Sequence, residues 1–312
     1  MLPTYRELVV LLIIIYSAFY FSLMPITNDT YSHANMVDDL NISAYPPLFH
    51  LLVKTINFFS MNGDEKTLTK NTTIFNVFLL GSLITLVLLP YAVYEFFFAY
   101  LRSEKAAFLG FLAYLFGTGI TNTYYYSNVW AQALAMFLFL CLLICLINKK
   151  PFTALIFLVL IGFTHRHFIY YAVIVYIVYF FESLFKNFEL PTIYCTTKSG
   201  SDASFSLSCL LPMFLIVFPF PYLWGVIKAH RRDIVLFSSI VPVFLVFLDS
   251  RVLLASFTLW CGYIGSYLTG LNRTKLAVWL IFFAVFAVFS YFYMMDLAAS
   301  YTAYSAFENI VY

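Results

Sequence analysis

The stretch "VWAQALAMFLFLCLLICLI", residues 129–147, carries no charge, and Gln132 is its one strongly polar side chain. An α-helix rises about 1.5 Å per residue and needs about 20 apolar residues to cross the hydrocarbon of a bilayer. This run meets that length and stops at Asn148, Lys149 and Lys150. The same punctuation recurs along the chain. Apolar runs fall near 6–24, 73–101, 106–120, 129–147, 152–185, 205–227, 234–249, 252–270 and 276–296, which predicts nine to ten spans. Composition agrees, because the 312 residues are 63% hydrophobic, 21% aromatic and only 10% charged, whereas about a quarter of a soluble chain is charged. The predicted fold is all-α: a polytopic transmembrane helical bundle in a single integral membrane unit over 1–312, without internal repeats or linkers. A formal charge of +2 offers no surface for nucleic acid.

Charge distribution orients the bundle. The breaks "RSEK", "NKK", "KAHRRD" and "NRTK", with Arg6, hold ten of the seventeen Lys and Arg, as short cytoplasmic loops do. The start, "MLPTYRELVVLLIIIYSAFYFSLMP", lacks a small-x-small cleavage site and reads as an uncleaved first span of a cell-membrane protein with a cytoplasmic N-terminus. Residues 25–72 are then external. Strict alternation with two spans in 152–185 would put "KAHRRD" outside, against the charge rule. The run 152–185, interrupted by "THRHF", therefore reads as a re-entrant half-helix followed by one crossing. Cys195 and Cys209 flank a polar stretch and are positioned to pair if it faces an oxidising space.

The outer loop concentrates polar chemistry in "NDTYSHANMVDDLNISAYPPLFHLL", Asn28–Leu52. Asn28 or Asp29 suits a helix N-cap, and Asp29, His33 and Val37 follow on one helical face. Pro46 and Pro47 suit a second helix start. After them Leu48, Leu51, Leu52, Ile56 and Phe59 form an apolar stripe opposite His50, Lys54 and Asn57. Two short helices resting on the outer leaflet are predicted, holding a carboxylate and an imidazole at headgroup level. Asp38 and Asp39 diverge by about 100° on a helix and do not chelate together. The sequons at Asn28, Asn41 and Asn71 all fall in this loop and agree with an external face; the one at Asn272 falls in a cytoplasmic turn.

Asp29-Thr30-Tyr31-Ser32-His33 followed by Tyr45-Pro46-Pro47-Leu48-Phe49-His50 resembles the first outer loop of multi-pass glycosyltransferases of the C fold. The resemblance extends to "YYYSNVWAQALAMFLFL" and to "LDSRVLLASFTLWCGYIG". It implies an enzyme that takes a sugar from a polyprenyl-phosphate carrier at the outer face of the membrane. Asp29 becomes a catalytic base or the ligand of a divalent cation, with His33 beside it, and Arg251 a binder of the lipid phosphate. No acidic pair in a second outer loop and no soluble C-terminal domain is legible, so the resemblance does not reach the oligosaccharyltransferases.

Elementary chemistry asks for the same parts: a base for the acceptor hydroxyl and cations for the departing phosphate. His165, Arg166 and His167 interrupt an apolar run, and ionisable groups at membrane depth face a cavity or partner unless they cap a span at the interface. They are candidate substrate-binding residues together with Arg251. A rival reading makes the chain a non-catalytic hydrophobic subunit of an archaeal b-type cytochrome respiratory complex, with haem in a partner membrane subunit. Bis-histidine haem within this chain would need two facing histidines on different spans, and the apolar runs supply only His165 and His167.

Overall fold

The computed structural model describes residues 3–21, 28–38, 46–60, 70–118, 130–185 and 253–285, with 235, 238, 239 and 288 besides. Every regular element among the described residues is a helix. They run α1 (Tyr5–Phe21), α2 (Asn28–Asp38), α3 (Leu48–Ser60), α4 (Lys70–Leu83), a π-helical turn π1 (Ile84–Leu88), α5 (Leu89–Leu101), α6 (Glu104–Leu112) and π2 (Ala113–Thr118). There follow α7 (Trp130–Ile147), α8 (Pro151–Gly162), α9 (Arg166–Phe185) and α10 (Leu253–Thr269), then α11 over 273–285. Among the described residues two helices are long and apolar enough to cross a membrane: Asn71–Leu101, 31 residues at a mean hydropathy of 2.2, and Trp130–Ile147, 18 residues at 2.5. The predicted spans at 205–227 and 234–249 lie outside the described residues apart from 235, 238 and 239.

The longest helix changes pitch midway. Proline has no N–H and its ring crowds the carbonyl four residues back; Pro90 stands four residues after Leu86. The backbone relaxes into π1, where the Leu89 N–H reaches the Ile84 carbonyl. The Leu86 carbonyl accepts instead from the Ser17 hydroxyl at 3.1 Å. A neighbouring helix thus satisfies the group that the proline orphaned, as a low-dielectric setting requires.

Run 152–185 is a helical hairpin. The chain turns at 163–165 between the 12-residue α8 and the 20-residue α9, and the Tyr176 hydroxyl returns to donate to the Pro151 carbonyl at 3.2 Å. At about 1.5 Å per residue, α8 is about 18 Å long, short of a full crossing.

Basic turns gather at one end of the bundle. Arg102 ends α5 in the left-handed region with φ 55, and its guanidinium donates to Asn148 Oδ1 at 3.0 Å, joining the α5–α6 and α7–α8 turns. Arg6 donates to Glu95 at 2.8 Å, and the Tyr5 ring lies 5.3 Å from Phe108. Helices α6 and α10 run antiparallel in close contact: a Cβ at Gly265 would fall 2.2 Å from the Ala106 carbonyl oxygen, and one at Gly110 would fall 3.0 Å from that of Cys261. Small residues four apart permit that approach. The turn with Arg273 and Lys275 follows directly, so Arg6 and the breaks "RSEK", "NKK" and "NRTK" share an end, opposite to α2 and α3, while "KAHRRD" lies outside the described residues.

Large apolar side chains cover much of the outside, among them Phe19, Phe75, Ile156, Phe152 at 86% exposure and Phe59 at 77%. Helix α3 shows the inversion clearly. Of its predicted apolar stripe, Leu51, Leu52 and Phe59 are exposed on the outside, as a helix resting on a leaflet requires, with Phe58 beside them, whereas Phe49, His50, Val53 and Asn57 are buried. Of the polar line, His50 and Asn57 face protein and Lys54 is exposed.

Candidate functional site

Helix α2 sets Asp29 and His33 one turn apart, and its inward face carries Thr30, His33, Ala34 and Val37. His33 and Val37 therefore share a buried face, as their spacing predicts. Four bonds lock the surrounding elements together. The Trp130 indole N–H, from the first turn of α7, donates to Thr30 Oγ1 at 3.3 Å. Its ring lies across Gly81 of α4, where a Cβ would come within 2.2 Å. The Asn76 amide donates to Asn57 Oδ1 at 2.7 Å, and the Asn57 amide to Thr73 Oγ1 at 3.2 Å, which ties α3 to α4. The Leu48 N–H, opening α3, donates to the Phe163 carbonyl at 2.7 Å.

At the centre, His33 Nδ1 and His50 Nε2 are 2.8 Å apart. Both residues are buried, at 3% and 2% exposure. Their ring centroids are 5.0 Å apart, and Phe49 stands near edge-on to both at 5.4 and 5.9 Å. An N···N contact of this length is a hydrogen bond only if one nitrogen carries the proton and the other offers its lone pair. Pairing removes the cost that either imidazole would incur buried alone.

The second group of predicted residues approaches the same end. Because Leu48 bonds to Phe163, the turn bearing His165 lies against the first turn of α3. His165 is buried and caps α9: its Nδ1 accepts from the Phe168 N–H at 3.3 Å, which fixes that nitrogen as the lone-pair side. Arg166 is exposed at the start of α9, and His167 sits in the same turn. Arg251 and the side chains of Asp29 and His167 lie outside the described residues, as do Asp39, Cys195 and Cys209. Among the described residues no group of three or more His, Cys, Asp or Glu side chains gathers as metal ligands.

Sequence reasoning missed His50 as a site residue. It put His50 with Lys54 and Asn57 opposite the apolar stripe of a surface helix, and of the three only Lys54 is exposed. The available signal was the spacing of Phe49, His50, Val53 and Asn57, which share one helical face whatever medium that face meets.

No protein-family model matches this chain, and no curated protein or solved structure matches it either. The chemistry of the site rests on its own residues.

Proposed function

We propose that the chain is a polytopic membrane glycosyltransferase of the C-fold type, moving a sugar from a polyprenyl-phosphate carrier to an acceptor hydroxyl at the outer face. The observation that carries this reading is the buried His33–His50 pair beneath a helix whose apolar side chains point away from the protein. In water that arrangement exposes oil and hides polar groups. At a lipid boundary it is the economical one, since lipid accepts the apolar stripe and polar groups turn toward a functional interior. The collection of basic turns at the opposite end supports a cytoplasmic placement of that end and an external α2–α3 region.

Transfer needs three things of these residues. Asp29 takes the proton of the acceptor hydroxyl as its oxygen bonds to the anomeric carbon, with His33 one helical turn away as its acid–base neighbour. The bond from that carbon to the phosphate oxygen breaks, and the carrier leaves as polyprenyl phosphate. Arg251 meets the departing phosphate, and His165, Arg166 and His167 line the approach of the carrier. Oxygen-bound negative charge that grows in the transition state is what fixed cations stabilise.

The test is Asp29→Asn in purified protein in nanodiscs, supplied with a radiolabelled polyprenyl-phosphate hexose. Asparagine is isosteric with aspartate, and in the first turn of α2 it gives up only the helix-dipole contribution of about 0.3–1 kcal/mol, so folding stays intact. Transfer should fall by about 100-fold to 10,000-fold, the usual contribution of a general base. Undiminished transfer by the variant would remove Asp29 from the mechanism, and absence of transfer by wild type would remove the reading.

A further inference from the structure

We propose that His50 is a positioning residue for the α2 site, holding His33 in one tautomer and one orientation through the Nδ1···Nε2 bond. The role rests on the glycosyl-transfer reading; the bond itself does not. At 2.8 Å the contact holds one bridging proton. If His33 donates it, the other nitrogen of His33 carries a lone pair; if His50 donates it, that nitrogen carries a proton. The direction of one bond therefore decides whether His33 accepts or donates toward anything bound beside α2. Fixing the tautomer of a working imidazole from behind is how a buried partner contributes to acid–base chemistry without touching substrate.

The setting makes the partnership stiff. His50 comes from α3, which is held at its start by the Leu48–Phe163 bond and farther along by Asn57 to Thr73 and Asn76. His33 comes from α2, held one turn earlier by Thr30 to Trp130. Phe49 restricts both rings from the side. Ionisable groups on the packed elements are Asp29, Tyr31 and Asp38 on α2, Lys54 pointing outward on α3, Lys70 opening α4, and His165 and Arg166 at the turn that meets the start of α3. Helix α7 brings no charge. Nothing charged on α7 competes for the bridging proton.

Full-length protein labelled with 15N-histidine, in nanodiscs, tests this directly. Wild type should show a 15N–15N coupling across a hydrogen bond between one Nδ1 and one Nε2. His50→Phe should abolish it, redistribute the His33 tautomers and lower kcat for transfer from a polyprenyl-phosphate hexose by about 10- to 100-fold, the usual loss when a ligand-orienting partner is removed. KM should stay unchanged. His50→Gln, which keeps a side-chain hydrogen-bonding group at that depth, should restore the wild-type His33 tautomer and most of kcat. If His50→Phe fails to fold, the coupling in wild type and the tautomer in His50→Gln decide. Lack of coupling in wild type, an unchanged His33 tautomer without His50, or unchanged kcat in His50→Phe would each overturn the proposal. If wild type transfers no sugar, the functional reading falls while the spectra still decide the pair.

Discussion

Trp130 and Gly81 form a contact whose energetics reverse sign with context. Gly81 lies inside α4, and the three atoms nearest to a Cβ built there all belong to the Trp130 ring, at 2.2 to 2.8 Å. In an ordinary helix interior Gly→Ala stabilises by about 1 kcal/mol. Here the added methyl overlaps a fully buried ring that is also held edge-on to Phe78 at 6.3 Å and bonded to Thr30. Moving a ring so constrained costs about 1–3 kcal/mol by overpacking, so Gly81→Ala should leave stability level or destabilise by up to about 2 kcal/mol after its propensity gain. Trp130→Ala alone should cost about 3–5 kcal/mol, because a large aromatic leaves a cavity. In the Trp130→Ala background the methyl of Gly81→Ala enters the vacated space, and the substitution should stabilise by about 1 kcal/mol. Reversible unfolding of the four proteins in mixed micelles, followed by circular dichroism, gives the interaction free energy of the cycle. Equal effects of Gly81→Ala in the two backgrounds would refute the contact.

Two further outcomes are expected. Ser17→Ala should destabilise by about 1–3 kcal/mol in the same assay, because it leaves the Leu86 carbonyl unsatisfied where Pro90 supplies no N–H; a change within a few tenths would mean that the carbonyl finds another donor. Of single cysteines at 64 and at 149, introduced into an otherwise cysteine-free protein, the one at 64 should react with a membrane-impermeant maleimide on intact cells and the one at 149 only after permeabilisation; labelling of both under the same condition would overturn the orientation of the bundle.

Helical class was legible because it depends on local quantities. Uninterrupted apolar length and basic stops mark the ends of α5, α7 and the hairpin, and the "THRHF" interruption marks the turn between α8 and α9. Pro46 and Pro47 announced the start of α3. The π-helical turn was not legible: Pro90 removes one backbone bond, but whether a helix kinks or widens there depends on who satisfies the freed carbonyl, and Ser17 lies far away in sequence. Close packing of α6 on α10 was equally hidden, since Gly110 and Gly265 are ordinary residues until two backbones meet across them.

By itself the sequence determined which segments are helical, which ends are basic, and that Asp29 and His33 share one helix, because spacing along a helix fixes direction around its axis. It did not determine what the polar face of α3 meets. On α3 the stripe of Leu51, Leu52 and Phe59 and the line of His50 and Asn57 are both evident in the sequence, yet the assignment of inside and outside is a property of the neighbours. Tertiary structure decided it by placing α2, α4 and α7 against the polar side, where Thr73, Asn76 and His33 meet the polar groups of α3. Hydrogen bonds in a low-dielectric interior reward that match, and the apolar stripe, with no partner inside, turns outward.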